Sequence, residues 1–164
     1  MDKNQAVTSF LQTYTDINDN PLFFNFGDIE NNAYQVNVSY NDVSLNRKYV
    51  DGSELRRYTI YIDSFKSVST TPVVSGYSAE NLDDMKEVQD LLDWITEQAD
   101  NRNYPDFGTN CVIDDMYVTS TEPALVGVDS SLNPPIAIYR IAINIDYIDN
   151  SKQLWSKQHT GPSL

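Results

Sequence analysis

Cys111 and His159 are the side chains of this 164-residue chain best suited to covalent chemistry, and each is the single residue of its kind. A catalytic cysteine needs a partner, such as histidine, that withdraws the thiol proton. His159 lies in a polar C-terminal stretch, whereas Cys111 precedes Val112 and Ile113 in the setting of a small apolar strand residue. One cysteine forms no intramolecular disulfide, so we expect a structural thiol and a chain made in a reducing cytoplasm.

Carboxylates are plentiful, but they form no recognisable catalytic or metal-binding motif. The acidic pairs at 83–84 and 114–115 are adjacent in sequence, and adjacent side chains on a helix or strand point in different directions. The sequence contains no glycine-rich phosphate loop, no histidine-bearing metal cluster and no Gly-x-Ser-x-Gly elbow. We therefore expect no enzyme activity, no cofactor and no metal. An enzyme would have to assemble its site from scattered acids and tyrosines.

The charge balance argues against anionic partners. The chain has 24 acidic and 11 basic residues, a net charge of −13, and such a field repels nucleic acid and anionic lipid. The N-terminal stretch lacks the apolar segment of a signal peptide, and no apolar run approaches the roughly 18 residues that a membrane span needs. We expect neither specific DNA binding nor membrane association.

Apolar periodicity predicts the elements that position these side chains. Spacing of three and four residues predicts a helix between Asp2 and Tyr14 and a longer one from Leu82 to Ala99. Alternation predicts strands over 33–40, 43–50, 55–62, 111–119 and 136–147. In the last strand Ile136 and Ile138 are out of phase, which favours a bulge or a strand entry there. Long loops are expected over 63–80 and 120–135.

The stretch KYVDGSELRRYTIYI, residues 48–62, carries the strongest local signal. Asp51 and Gly52 are typical of the positive-φ turn of a two-residue or bulged hairpin. In the strand that follows, Tyr58, Ile60 and Ile62 alternate with polar residues and so share one face of a sheet. The sequence therefore predicts a regular hairpin with no catalytic group beside it.

The order of these elements resembles that of the tail terminator proteins of long-tailed bacteriophages, which are often labelled minor capsid proteins in phages of Gram-positive hosts. The resemblance covers roughly residues 5–149. It rests on the turn at 49–52 with its aromatic strand, on Trp94 in the second helix before the turn at Tyr104–Pro105, and on the closing strand IYRIAINIDYID. The long loop at 65–77 and the extension beyond Ile148 depart from the usual shape of that family.

The resemblance implies a single α+β domain over residues 1–149, with a twisted, mostly antiparallel β-sheet flanked by two main helices. Residues 150–164 would form a polar C-terminal extension. It also implies a virion protein of which six copies form a ring at the head-proximal end of the tail. Such a ring stops polymerisation of the tail tube protein and gives the head connector a docking surface, while DNA passes through without specific binding.

Two sets of residues follow from this expected role. The hairpin, the long loop and the extension supply candidate contacts with neighbouring subunits or partners: Tyr49, Asp51, Gly52, Phe65, Tyr77 and Trp155. Acidic residues that could line the lumen of the ring and repel DNA phosphates are Asp63, Glu80, Asp83 and Asp84. Two other functions remain open, namely a neck or head-completion protein between portal and tail, and a non-viral protein-interaction module.

Overall fold

The computed structural model describes residues 2–39, 43–69 and 79–154, without the side chains at 43–46 and 79–80. Within these ranges the chain is one α+β domain with a mostly antiparallel, open seven-stranded sheet. The helices are α1 (Lys3–Leu11), α2 (Thr15–Asp19) and α3 (Ala79–Asp100). The strands are β1 (Leu22–Phe24), β2 (Tyr34–Val38), β3 (Val43–Lys48), β4 (Glu54–Ser67), β5 (Cys111–Val118), β6 (Ala124–Asp129) and β7 (Ile136–Asp149). The predicted fold class is confirmed.

The sheet is built around β4 and β7, which pair antiparallel over all 14 residues of each strand, from Glu54 opposite Asp149 to Ser67 opposite Ile136. On the outer side of β4, β3 pairs with its first residues and β2 with its later ones, and β1 adds to β2 in parallel. On the outer side of β7, β6 and β5 pair with its first and second halves. Strands β3 and β6 therefore lie at diagonally opposite corners of the sheet.

The main core lies between the sheet and the two longer helices. Alternating residues of β4 and β7, including Tyr58, Ile60 and Ile143, are buried in one cluster with apolar residues of α1 and α3. Trp94 of α3 contacts the Phe10 ring of α1, with ring centroids 5.2 Å apart. Both helices therefore cover the same face of the sheet, and we call the other side the helix-free face.

A second, smaller core explains the out-of-phase isoleucines of β7. Ile136 is buried with Phe65 and Ala33, and Ile138 packs against this cluster. The register of β4 with β7 is uninterrupted at these residues and β7 begins at Ile136, so of the two predicted alternatives the structure has the strand entry and no bulge on β7 against β4. Apolar residues occur on both faces here because each face has its own core. Bulges lie instead on β3, β5 and β6.

Two predicted loops also differ from the structure. Residues 120–135 contain β6, which pairs with β7, and the sequence signal of this strand is weak because Gly127 interrupts the short apolar run. The loop expected from Asp63 begins later, since β4 continues to Ser67. Residues 70–78 of that loop lie outside the described residues.

Candidate functional site

The hairpin between β3 and β4 has the bulged form. The Gly52 amide donates to the Tyr49 carbonyl at 3.0 Å, and the Tyr49 amide donates to the Ser53 carbonyl at 2.9 Å. Asp51 braces the turn, because its Oδ1 accepts from the Ser53 hydroxyl at 2.7 Å and from the Ser53 amide at 3.0 Å. These bonds, led by that of the hydroxyl, hold the pKa of Asp51 below its usual value.

Glycine is required at position 52 for two reasons. Its φ of +89° is one that L side chains rarely adopt, and a Cβ at this position would lie 2.7 Å from the carbonyl oxygen of Lys152. The segment after β7 therefore passes directly over the turn. It is fastened there by the Leu154 amide, which donates to the Asp51 carbonyl at 2.8 Å, and by Gln153 Nε2, which donates to Asp51 Oδ2 at 2.8 Å.

Glu54, the first residue of β4, links the hairpin to residues 152–154. Its carboxylate is nearly buried and pairs with Arg56 at 2.8 Å, Lys48 at 3.4 Å and Lys152 at 3.4 Å. The bond from Arg56 is the largest cause that lowers the pKa of Glu54 to about 2. Three cations from three segments thus converge on one carboxylate, so the hairpin and residues 152–154 form one surface unit.

The tip of the hairpin exposes apolar and basic side chains together. Val50 is 102% exposed and Tyr49 is 39% exposed, while Arg47 and Lys48 are both exposed at the end of β3. Residues 47–57 contain four basic and two acidic side chains in a chain of net charge −13. We call Arg47, Lys48, Tyr49 and Val50 the hairpin surface.

A groove lies at the opposite side of the sheet, where β5 and β6 diverge along β7. It has a volume of about 140 Å³ and includes Leu92, Ala124, Ile141 and Ala142 in its lining. Glu122 stands at its rim, and Gln89 connects the adjoining loop to α3, since its Nε2 donates to the Thr121 carbonyl at 3.2 Å and to Asp93 Oδ1 at 2.8 Å. We call these four lining residues, with Glu122, the edge groove.

Strand β6 extends the apolar character of the edge groove. Leu125, Val126 and Val128 are each about half exposed, and the pairing recorded for β6 in the described residues is with β7 on one side. An outer strand with apolar side chains is a common site of pairing with another chain. Sequence analysis missed this surface, and its only signal was the short run ALVGV within a polar segment.

The helix-free face carries a ladder of paired polar side chains. Arg140 forms a bidentate ion pair with Asp63, with N–O distances of 2.7 and 2.8 Å, and Arg57 pairs with Asp146 in the same way at 2.7 and 2.9 Å. Each carboxylate raises the pKa of its arginine. These charges are satisfied within the subunit, so this face offers few free ionic groups to a partner.

The structure does not bring the proposed lumen residues together. Asp63 is 4% exposed and neutralised on the helix-free face, so it does not serve as a free lumen carboxylate. Asp83 is exposed and Asp84 half-buried on α3, at the other face of the sheet. Glu80 begins the same helix, but its side chain is outside the described residues.

The candidate contact residues also lie in different parts of the structure. Tyr49, Asp51 and Gly52 belong to the hairpin and its turn. Phe65 is buried in the second core, so its expected role in a subunit contact is wrong for the folded chain, because the ring is already covered by the chain itself. Tyr77 and Trp155 lie outside the described residues.

The described residues contain no group of three or more histidine, cysteine, aspartate or glutamate side chains that could hold a metal ion. Burial is the largest cause that raises the pKa of the Cys111 thiol, and this opposes formation of a reactive thiolate. Within the same residues, no helix combines the length and apolar character needed to cross a membrane.

Comparison with known proteins adds no relative. No protein-family model, no curated protein and no solved structure matches this chain.

Proposed function

We propose that this chain is a tail terminator of a long-tailed bacteriophage, a virion protein made in the cytoplasm of the bacterial host. Copies of it form a ring, with six subunits as the expected number, at the head-proximal end of the tail. The ring ends polymerisation of the tail tube protein and presents a docking surface to the head connector. The phage assignment rests on the order and spacing of the sequence elements, and the role is structural rather than enzymatic.

One structural observation supports the proposed ring. The sheet exposes two unlike apolar surfaces, the hairpin surface and the edge groove with β6, on opposite sides of the β4–β7 pair. A contact between two different surfaces of identical subunits is heterologous, and its repetition closes a ring when the rotation between neighbours is a whole fraction of a full turn, and otherwise gives an open filament. Two like surfaces would instead give a dimer that stops growing.

DNA passes through the proposed ring without binding specifically. α3 contains eight acidic residues and one basic residue, and an acidic lumen repels phosphates. Of the candidate acids on this helix whose side chains the structure describes, Asp83 is the exposed one. Replacing it and its acidic neighbours on α3 by lysine is expected to slow DNA ejection from otherwise normal particles, and an unchanged rate would remove the lumen role from this helix.

The proposed function is tested on tails that lack their head-proximal cap. Purified protein is added to such tails of the same phage while the tube protein is still polymerising, and tail lengths and gold-labelled protein are recorded by electron microscopy. We expect label at one end of each tail and lengths that stop increasing. Label on tail-less heads instead of tails would favour a neck protein, and label on neither would refute a role in the head–tail junction.

A further inference from the structure

We propose that the hairpin surface of one copy of this chain docks in the edge groove of the next copy. The inference rests on the proposed ring and names the two faces that would join. Among the exposed apolar features of the described residues, these two lie at diagonally opposite corners of the sheet and carry opposite charge.

The shapes of the two surfaces support this pairing. Val50 projects from the hairpin tip with its side chain fully exposed, which is unfavourable for an apolar group in water. The edge groove has a volume of about 140 Å³, and four apolar residues line it beside Thr119, Ser120, Glu122 and Arg140, so a branched aliphatic side chain has both room and apolar contacts there. Tyr49 then covers the exposed apolar residues of β6, as aromatic side chains commonly do in interfaces.

Charge supports the same pairing. Arg47 and Lys48 are exposed in the hairpin surface, and Lys48 already pairs with Glu54 at 3.4 Å. Glu122 lines the groove, and the basic residue that lines it, Arg140, is already neutralised by Asp63 at 2.7 Å. Docking therefore brings the cation of Arg47 to the carboxylate of Glu122, which favours this partner and orientation.

The opposite charges also disfavour the main alternative, in which β6 of one copy pairs with β6 of another. That contact would face the Glu122-bearing edge of one copy with the same edge of the other, in a chain of net charge −13, and like charges across an interface weaken association. A second copy bound through its hairpin surface avoids this repulsion.

Cysteine crosslinking tests the contact directly. In a Cys111→Ala background, Val50→Cys and Ala124→Cys are made as separate variants, mixed and oxidised. We expect a covalent dimer from the mixture and little from either variant alone, because a disulfide forms only when the two Cβ atoms lie about 3.5–4.5 Å apart. Phe26→Cys, at an 87% exposed site, is the matched control and should not crosslink to Ala124→Cys.

Charge exchange supplies a second test that does not depend on thiol geometry. Arg47→Glu should weaken self-association about tenfold, and so should Glu122→Lys, since each change opposes like charges. A mixture of the two variants should associate more tightly than either alone. Unchanged melting temperatures of the dilute variants confirm that their subunits are still folded.

The outcomes separate this inference from the proposed function. Rings seen by negative stain without a mixed crosslink and without charge rescue overturn the hairpin contact but leave the terminator role standing. Ala124→Cys crosslinking to itself as fast as to Val50→Cys overturns it in favour of paired β6 strands. A mixed crosslink with rescue in a protein that does not cap tails supports the contact and refutes the terminator. A strict monomer in solution and on tails overturns both.

Discussion

Replacement of Gly52 by alanine should destabilise the protein by about 3 kcal/mol. A side chain at φ +89° costs about 1–2 kcal/mol. The new Cβ would also lie 2.7 Å from the Lys152 carbonyl oxygen, so the segment must move away. That movement breaks the two hydrogen bonds to Asp51, at 2.8 Å each, and each is worth about 0.5–1.5 kcal/mol.

Urea and thermal unfolding measure this loss. For a domain of this size, about 3 kcal/mol corresponds to a fall in melting temperature of about 6–12 °C. Gly127→Ala is the control, because a Cβ there meets no atom within 4 Å, and its effect should stay within about 0.5 kcal/mol.

A truncation separates the two contributions to the loss. In a chain that ends at Ser151, Gly52→Ala should cost only the backbone part of about 1–2 kcal/mol, because the opposing carbonyl is gone. Equal costs in the full and shortened chains would refute the proposed clash. A cost below about 0.5 kcal/mol in the full chain would refute the whole argument for glycine at this position.

Three further predictions concern stability. Phe107→Ala removes edge contacts with two tyrosine rings, whose centroids lie 5.4 and 5.7 Å from that of Phe107. It should lower the free energy of unfolding in urea by about 3–5 kcal/mol. A loss below about 1 kcal/mol would contradict this packing. Lys66→Met should change the free energy of unfolding by less than about 1 kcal/mol, because it removes the desolvation cost of a buried cation. Its partner Glu87 is 53% exposed, so that carboxylate returns to water. A loss above about 3 kcal/mol would show that the pair is strongly stabilising. The pKa of Glu54 falls from 4.5 to about 2 on folding, so its contribution to stability is complete above pH 4.5 and is lost as the pH falls towards 2. The urea midpoint of Glu54→Gln should therefore change less than that of the wild type between these pH values. Equal changes would contradict the lowered pKa of Glu54.

Much of the fold could be predicted because its signals are local. The hairpin turn is encoded by Asp51 and Gly52, and β7 by a long alternation of isoleucine and tyrosine. The helix predicted between Asp2 and Tyr14 ends earlier in the structure, at Leu11, and a second short helix, α2, begins at Thr15 beyond the predicted range. Hydrogen bonds from the Thr13 and Tyr14 amides to Phe10 and Leu11 make this break, and no proline or glycine announces it in the sequence.

The rest depends on tertiary contacts that the sequence does not encode locally. From the sequence, Asp63 is a candidate lumen carboxylate. The β4–β7 register places it opposite Arg140, and the resulting ion pair neutralises its charge. Phe65 reads as the start of a loop, yet it is buried under residues of the second core. Strand β6 escapes detection because it is held by its pairing with β7 and not by its own alternation.

The β4–β7 ladder has a consequence for the order of folding during synthesis. Its partners are far apart in sequence, with Ser67 of β4 opposite Ile136 of β7, so β4 leaves the ribosome well before its central partner exists. At about 5–20 residues per second the delay is roughly 3–14 s, and non-local pairing is slow in any case. During that interval, of the described strands that pair with β4, only β2 and β3 are available. The arginine, lysine and aspartate side chains of β4, spaced among the apolar ones, then oppose aggregation of the nascent chain.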